Sequence, residues 1–414
     1  MYLNAKVVLQ FIAGAALSAA LMAAAQAPAS SSSSVPAQSP APAAPAAAAP
    51  APLSTFVLTG PLQWLPPAVF DAGPFGKLSV NGILTGYAQG QDNPVAGDDT
   101  KQATLSNGEI FIQKADGKLQ WFVQAGVYTM PTLGAAFLDA QATNKDFYGP
   151  VPVAFAKLAT GKTTTWQIGA LPTLMGAEST FTYQNTDIER GLLWAQENAI
   201  NRGLQVNQTL GKYFTASLSW NDGYYSDRYT WLSGSLTFTK GPNSLAFEGM
   251  GNYSQTAYQT IATPVQNNST MYVAIYTYTK GNWIVQPYWQ YSDVPTNPKV
   301  GVAKGATTDG GALLMSYAFK HGFSLPGRFE YITSSGSAAD GAVNLIYGPG
   351  SSAASFTVTP TYQKGGFYFR TDLAVVHATN YTAGDVFGPL GNDASQFRAV
   401  GEFGFIFGDN IIKK

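Results

Sequence analysis

No cysteine occurs in this chain of 414 residues, and histidine occurs only at His321 and His377. The first absence excludes thiol chemistry, disulfide frameworks and thiolate metal sites. The second removes most routes to general base catalysis and to imidazole ligation, so no catalytic residue, metal or cofactor is expected. Charge is scarce too: Lys, Arg, Asp and Glu together make up 11%, against about 25% in soluble domains. A formal net charge of −1 leaves no basic footprint for nucleic acid. Beyond the first 30 positions no apolar run reaches the roughly 18 residues of a membrane helix, which excludes a mature helical bundle.

What is present is aromatic and flexible. Phe, Trp and Tyr reach 13% and glycine numbers 43, a composition suited to a surface that meets lipid. With helices excluded, only a closed β-barrel can span a bilayer, because lipid offers no partner to an unpaired backbone N–H or C=O. Residues 1–25 read as a secretory signal, with Lys6 before an apolar core from Val7 to Met22 and small residues at Ala23, Ala24 and Ala25. Residues 26–61 are mostly Ala, Pro and Ser and read as a periplasmic linker. The next stretch, 62–76, carries Trp64, Leu65, Val69 and Phe70 and is too apolar for a free linker; it is expected to dock at the barrel's periplasmic rim or inside its mouth.

From Lys77 the pattern becomes runs of about ten residues alternating apolar and polar, the dyad repeat of a transmembrane strand. In Lys118 to Thr129, for example, Leu119, Trp121, Val123, Ala125 and Val127 point one way, and Gln120, Phe122, Gln124 and Gly126 the other. One face is expected to be greasy and the other wet. Strands are read at 77–90, 104–115, 118–129, 151–159, 163–171, 202–210, 212–220, 230–239, 243–252, 269–279, 282–292, 310–319, 327–333, 355–363, 366–377 and 397–407. Short glycine-bearing turns alternate with long connections, as periplasmic turns alternate with extracellular loops. The fold expected is therefore all-β, an antiparallel up-and-down barrel over 77–407, of 16 strands, with 14 or 18 also compatible with the pattern; 408–414 is an overhang.

Carrying the alternation through places Glu109, Glu248, Arg328, Glu330, Arg370, Asp372, Arg398 and Glu402 on the inner face. Their mixed signs predict a weakly selective, hydrated lumen, or alternatively ion pairs that only brace neighbouring strands. The longest connection, 172–201, is charge-rich for this chain and holds Glu178, Asp187, Glu189, Arg190 and Glu197. Asp187 to Gln196 is expected to form a short helix. Folded inward, the loop would narrow the pore and set Arg190 opposite acidic groups; folded outward, it would be a lid.

That stretch also carries a resemblance. Gln167 to Trp194, with Gly169, Pro172, Thr173, Gly176, Glu178, Asn185 and Arg190, resembles the signature region of the OmpL-like β-barrel porin family, although a family lysine is Ala170 here. Arg202 to Tyr224 is similar to the hairpin that follows in that family. The resemblance implies a barrel from about Leu78 to Phe407 and a porin's role. The last strand, with Phe397, Phe403, Phe405 and Phe407 in phase, looks like an assembly-targeting strand followed by seven further residues. The expected function is an outer-membrane porin passing small hydrophilic solutes or ions. Its expected partners are outer-membrane lipid, the assembly machinery and, by self-association, a homo-oligomer. A non-conducting structural or adhesive barrel is the main alternative. An outer-membrane hydrolase would need a serine and a histidine at one membrane interface, and neither histidine lies in a nucleophile motif.

Overall fold

Runs that alternate with period two can satisfy every backbone group only when each has a neighbour on both sides, and here pairing passes from strand to strand around a complete circle. The computed structural model describes residues 61–261 and 263–412, so the expected leader and nearly all of the linker lie outside the described residues. A short strand, β1 (Ala68–Asp71), precedes the barrel. The wall is β2 (Lys77–Gln91), β3 (Lys101–Lys114), β4 (Leu119–Tyr128), β5 (Val153–Ala159), β6 (Thr164–Pro172), β7 (Ile200–Leu210), β8 (Phe214–Asn221), β9 (Trp231–Lys240) and β10 (Asn243–Asn252). It continues through β11 (Thr270–Lys280), β12 (Trp283–Val294), β13 (Ala306–Ala318), β14 (Phe323–Ser334), β15 (Ser352–Val358), β16 (Thr361–Lys364), β17 (Phe367–Thr379) and β18 (Ser395–Phe407).

All pairs are antiparallel, and β18 closes on β2 with Phe407 opposite Gly82. Both β15 and β16 lie between β14 and β17, so they are two halves of one strand and the barrel has sixteen. The expected continuous run 355–363 is thus broken at Thr359 and Pro360. Pro360 has no N–H to give the ladder, while its carbonyl still accepts from Thr371 N at 3.2 Å. One further irregularity was invisible to alternation: Thr85 pairs with Asn107 but Gly86 with Leu105, leaving Ser106 as an extra, inward residue of a β-bulge.

Short turns gather at one end. Gly241 and Gly281 take φ of 60° there, a left-handed conformation other residues adopt only with strain. In the β3–β4 turn a hydrogen bond from Lys114 holds the Asp116 carboxyl below its ordinary range. Long loops gather at the other end, where the β4–β5 loop carries α1 (Ala140–Asp146), capped by Asp139 Oδ1 accepting from Ala142 N at 2.8 Å. Outward faces form an apolar band in which Ile168, Phe329, Phe356 and Phe403 are more than half exposed. Trp283, Tyr317 and Phe319 pack together, tilted and edge-on, at the short-turn end, and Trp220, Tyr229, Trp289 and Tyr291 lie toward the loops. These are the two aromatic girdles of a bilayer-spanning barrel.

The pre-barrel segment enters the mouth at the short-turn end. Leu62 is buried, and Trp64 packs edge-on against Phe111 of the inner wall and against Tyr183 of the long loop, with centroids 5.4 and 5.6 Å apart. Asn81 Nδ2 donates to Leu65 O at 3.1 Å. Strand β1 then pairs with the start of β2, Ala68 opposite Val80, in line with the end of β18. After β18 comes α2 (Asp409–Ile412), whose Asp409 N donates to Pro66 O at 3.0 Å.

Candidate functional site

The β6–β7 loop, residues 173–199, folds into the barrel rather than over it, and the inner-wall charges seize it. Arg328 of β14 reaches Glu178 Oε1 through Nη1 at 2.5 Å, donates to Glu189 O at 2.7 Å, and has Nε 3.2 Å from its own strand's Glu330. Arg370 of β17 pairs with Glu402 of β18 at 2.7 Å and donates to Asn185 O at 2.8 Å. Arg398 pairs with Glu189 Oε1 at 2.6 Å and also holds Thr132 O and Ala135 O of the neighbouring loop. All three guanidinium side chains are fully buried.

The wall's carboxylates grip the loop's backbone. Asp372 accepts from Ile188 N and Glu189 N at 2.9 and 2.8 Å, Glu330 from Leu192 N at 3.0 Å, and the loop's own Glu178 from Gly191 N at 2.8 Å. This corrects the expected helix over Asp187 to Gln196. The N–H groups that a helix would turn inward on itself are spent on carboxylates, and only a 3-10 turn at Trp194–Gln196 remains. Thr359 Oγ1 lies 2.6 Å from Asp187 Oδ1 and 2.7 Å from Asp372 Oδ1, and Thr182 Oγ1 donates to Glu402 Oε1 at 2.6 Å. Neither threonine was picked out in the sequence. Arg190 does enter the barrel but faces no open space: its N donates to Pro131 O, Nη1 to Thr180 O at 2.6 Å, and the guanidinium lies over Trp194.

The remaining two predicted wall residues stand apart from this clamp. Glu109 of β3 accepts from Gln124 Nε2 at 2.5 Å. Glu248 of β10 accepts from Gly176 N at 2.7 Å. Glu197, at the far limb of the loop, accepts from Gln290 Nε2 at 2.6 Å.

The inner face is not uniformly wet, which corrects the expectation from alternation. In the loop-bearing half, Met250, Met271, Val273, Ile275, Leu314, Ile332 and Val376 point inward and pack on Leu133, Met175, Leu192, Leu193, Tyr347 and Phe387 from the loops. Stretches of β10, β11, β13, β14 and β17 are apolar on both faces there because the loops give the inner face a dry partner, next to the inward charges of the same strands. Open space lies against the opposite wall. A vestibule of about 450 Å³ runs along β5 to β10, lined by Lys157, Thr165, Gln167, Gln205, Asn207, Ser217, Ser235 and Thr237, and roofed by Pro172, Thr173, Leu174 and Glu248. Gln205, Asn207 and Gln167 are hydrogen-bonded in a chain of amides. Lys157 shares the inner phase of Val153 and Phe155, so the same alternation could have found it. A narrow crevice, with about 20 Å³ free, adjoins the vestibule at Pro172 to Leu174 and Glu248 and extends to Glu178, Gln184 and Val153. That is room for roughly one water molecule.

The two histidines remain apart from the lumen. His321 takes a left-handed φ of 64° in the β13–β14 turn. His377 stands on the outer face of β17, directly across from Ser395, with Nδ1 2.8 Å from Ser395 Oγ. Among the described residues no carboxylate is hydrogen-bonded to this imidazole, so the pair lacks the orienting acid of a triad.

A family model described as putative beta-barrel porin-2, OmpL-like, matches residues 77–407. No curated protein matches by sequence. Among solved structures, the outer-membrane channel DcaP of Acinetobacter baumannii is similar over 82% of this chain and 100% of its own, at 11% identity and a TM-score of 0.56. An anion-selective porin from Comamonas acidovorans is similar over 80% and 99%, at 12% identity and a TM-score of 0.54. The trimer form of OmpT, an outer-membrane protein of Vibrio cholerae, covers 80% and 99% at 10% identity and a TM-score of 0.51.

Proposed function

Because the chain belongs to the OmpL-like β-barrel porin family, and so to the bacterial outer membrane, we propose that its barrel is a pore for passive diffusion of small hydrophilic solutes or ions, narrowed by the loop 173–199. One observation carries this reading: the loop is pinned to the β14–β18 side by the buried Arg328, Arg370 and Arg398 network, while a polar vestibule stays open along β5 to β10. A loop held by fixed charges sets a fixed cross-section, and a wall of amides and hydroxyls can replace part of a solute's hydration. Glu178, Asp187 and Glu189 then fasten the constriction loop to its mounts, the inner-wall arginines and carboxylates, while Arg190 and Glu197 brace the loop from inside. Association into a homo-oligomer belongs to the same reading, supported by the trimer form of one similar barrel.

The dry packing of the loop-bearing half favours a second reading, a barrel that is structural and closed at rest. Refolded protein added to a planar bilayer separates the two: discrete conductance steps uphold the pore, and a folded, inserted but silent protein upholds the closed barrel.

A further inference from the structure

The open side of the lumen has a hydrogen-bonding pattern of its own. Lys157, Gln167 and Gln205 stand in register across β5 to β7, and one row along, Asn207, Ser217 and Ser235 do the same across β7 to β9. All six line the vestibule of about 450 Å³, a size within the roughly 300–1,000 Å³ of small-molecule pockets. The amides at its centre spend most of their capacity on one another. Gln205 Nε2 donates to Gln167 Oε1 at 3.2 Å and to Asn207 Oδ1 at 2.7 Å, Asn207 Nδ2 donates to Gln167 Oε1 at 3.2 Å, and Ser217 Oγ donates to Asn207 Oδ1 at 2.8 Å. Two atoms are left over: among the described residues Gln167 Nε2 and Gln205 Oε1 have no protein partner, and neither is sealed from solvent. An amide donor and an amide acceptor thus stand side by side at the vestibule wall.

Charge gives the vestibule no preferred ion. Of its lining residues only Lys157 on β5 and Glu248 on β10 are charged; their signs are opposite, and Glu248 Oε2 already accepts from Gly176 N at 2.7 Å. An ion that shed water here would meet mostly neutral dipoles in return. Resting on the pore reading above, we infer that the vestibule is a binding subsite for neutral polyhydroxylated solutes of sugar size, held through vicinal hydroxyls by Gln167 and Gln205. One hydroxyl accepts from Gln167 Nε2 while its neighbour donates to Gln205 Oε1, so each amide gains the bond it lacks. Further hydroxyls meet Thr215, Ser235 and Thr237 round the wall, and Phe155, Leu171 and Leu174 offer an apolar border to the ring's C–H groups. Because the two amides fix each other, the site is preorganised, and a solute of equal size without adjacent hydroxyls leaves both atoms unanswered.

Current fluctuations of reconstituted channels in KCl, titrated with D-glucose, test the assignment. Wild type should show a saturable block whose half-saturation is several-fold lower for glucose than for triethylene glycol, an ether of similar size without vicinal hydroxyls. It should also be several-fold lower than for glucuronate and glucosamine, pyranoses that carry a charge of either sign. Gln167→Met and Gln205→Met should each raise the glucose half-saturation several-fold, and the double variant should abolish saturation. Ser292→Ala, on the buried inner wall outside the vestibule, should leave it unchanged. Heat-modifiable gel mobility verifies folding of each variant, and the solute series, read on wild type, stands whether or not a variant folds. Equal block by triethylene glycol, equal or tighter block by either charged pyranose, or unchanged block in the folded double variant overturns the subsite. If wild type inserts but never conducts, the pore reading fails by itself, and saturation-transfer NMR of glucose with folded protein in a sugar-free detergent still decides the subsite: transfer that is lost in Gln205→Met upholds it, and transfer that is absent from wild type or persists in the variant overturns it.

Discussion

At Arg328 two carboxylates, a loop carbonyl and the Thr357 hydroxyl meet one fully buried guanidinium. Removing one member of a buried ion pair leaves its partner charged and dry, at a cost of about 3–5 kcal/mol. Arg328→Met should therefore lower the barrel's free energy of unfolding by that order, read as a lower denaturant midpoint for the heat-modifiable band. Arg328→Met combined with Glu178→Gln should regain a measurable part, since one of the stranded charges is gone; a single variant as stable as wild type would refute the clamp. At this scale the sequence told which residues point inward, because alternation leaves a charge no other side on which to be stable. It could not tell who pairs with whom. Glu178 and Arg328 lie 150 positions apart, and neither strand phase nor spacing encodes a loop's path through a lumen. Lys157, Thr182 and Thr359 show the two kinds of omission: the lysine obeyed a rule applied incompletely, while the threonines matter only once the loop is inside.

The inserted loop and the pre-barrel segment are separable elements, and each can be removed without touching the ladder. Deleting Thr182 to Asn198 strips Arg398 of its carboxylate, but Arg370 keeps Glu402 and Arg328 keeps Glu330 within the wall. The expected outcome is a folded barrel with larger conductance and a raised size limit in liposome swelling; unchanged swelling rates would mean that the loop does not set the cross-section. Trp64→Ala tests the other element. Trp64 touches Phe111 and Tyr183 together, and aromatic pairs contribute about 0.5–1.5 kcal/mol beyond burial. Its loss should therefore loosen the loop as well as the mouth, giving noisier and larger current steps with little change in barrel stability. Identical current traces would show that the segment lies beside the path. Strands were readable because each is a repeated local pattern bounded by turn glycines. The helix expected at Asp187 to Gln196 was wrong for a tertiary reason: local propensity cannot anticipate Asp372 and Glu330 taking the backbone N–H groups. The apolar inner face of β11 was present in the sequence as a strand greasy on both sides, Met271, Val273 and Ile275 against Tyr272, Ala274 and Tyr276, a pattern that signals a dry partner on the inner face.

For the whole molecule, the alternation of short and long connections makes the two ends of the barrel chemically alike but topologically opposite. Lys240 and Lys280 close turns at one end, while Lys299 and Lys304 sit in the β12–β13 loop at the other, and all four are exposed. In detergent, where both ends meet solvent, accessibility alone cannot distinguish them. In an intact cell the outer membrane does. With short turns facing the periplasm, trypsin added outside should cut, if it cuts at all, at long-loop sites such as Lys145, Arg228, Lys299 or Lys304, and leave Lys240 and Lys280 whole; permeabilised cells should expose the turns as well. The same orientation puts the segment from Leu62 to Asp71 at the periplasmic mouth, because β1 pairs with the start of β2 and Asp409 meets Pro66 there. It thereby lies at the short-turn end and not among the outer loops. Mass-spectrometric recovery of peptides ending at Lys240 or Lys280 from sealed cells would reverse the barrel in its membrane, and with it the direction in which vestibule and inserted loop are met by a solute from outside.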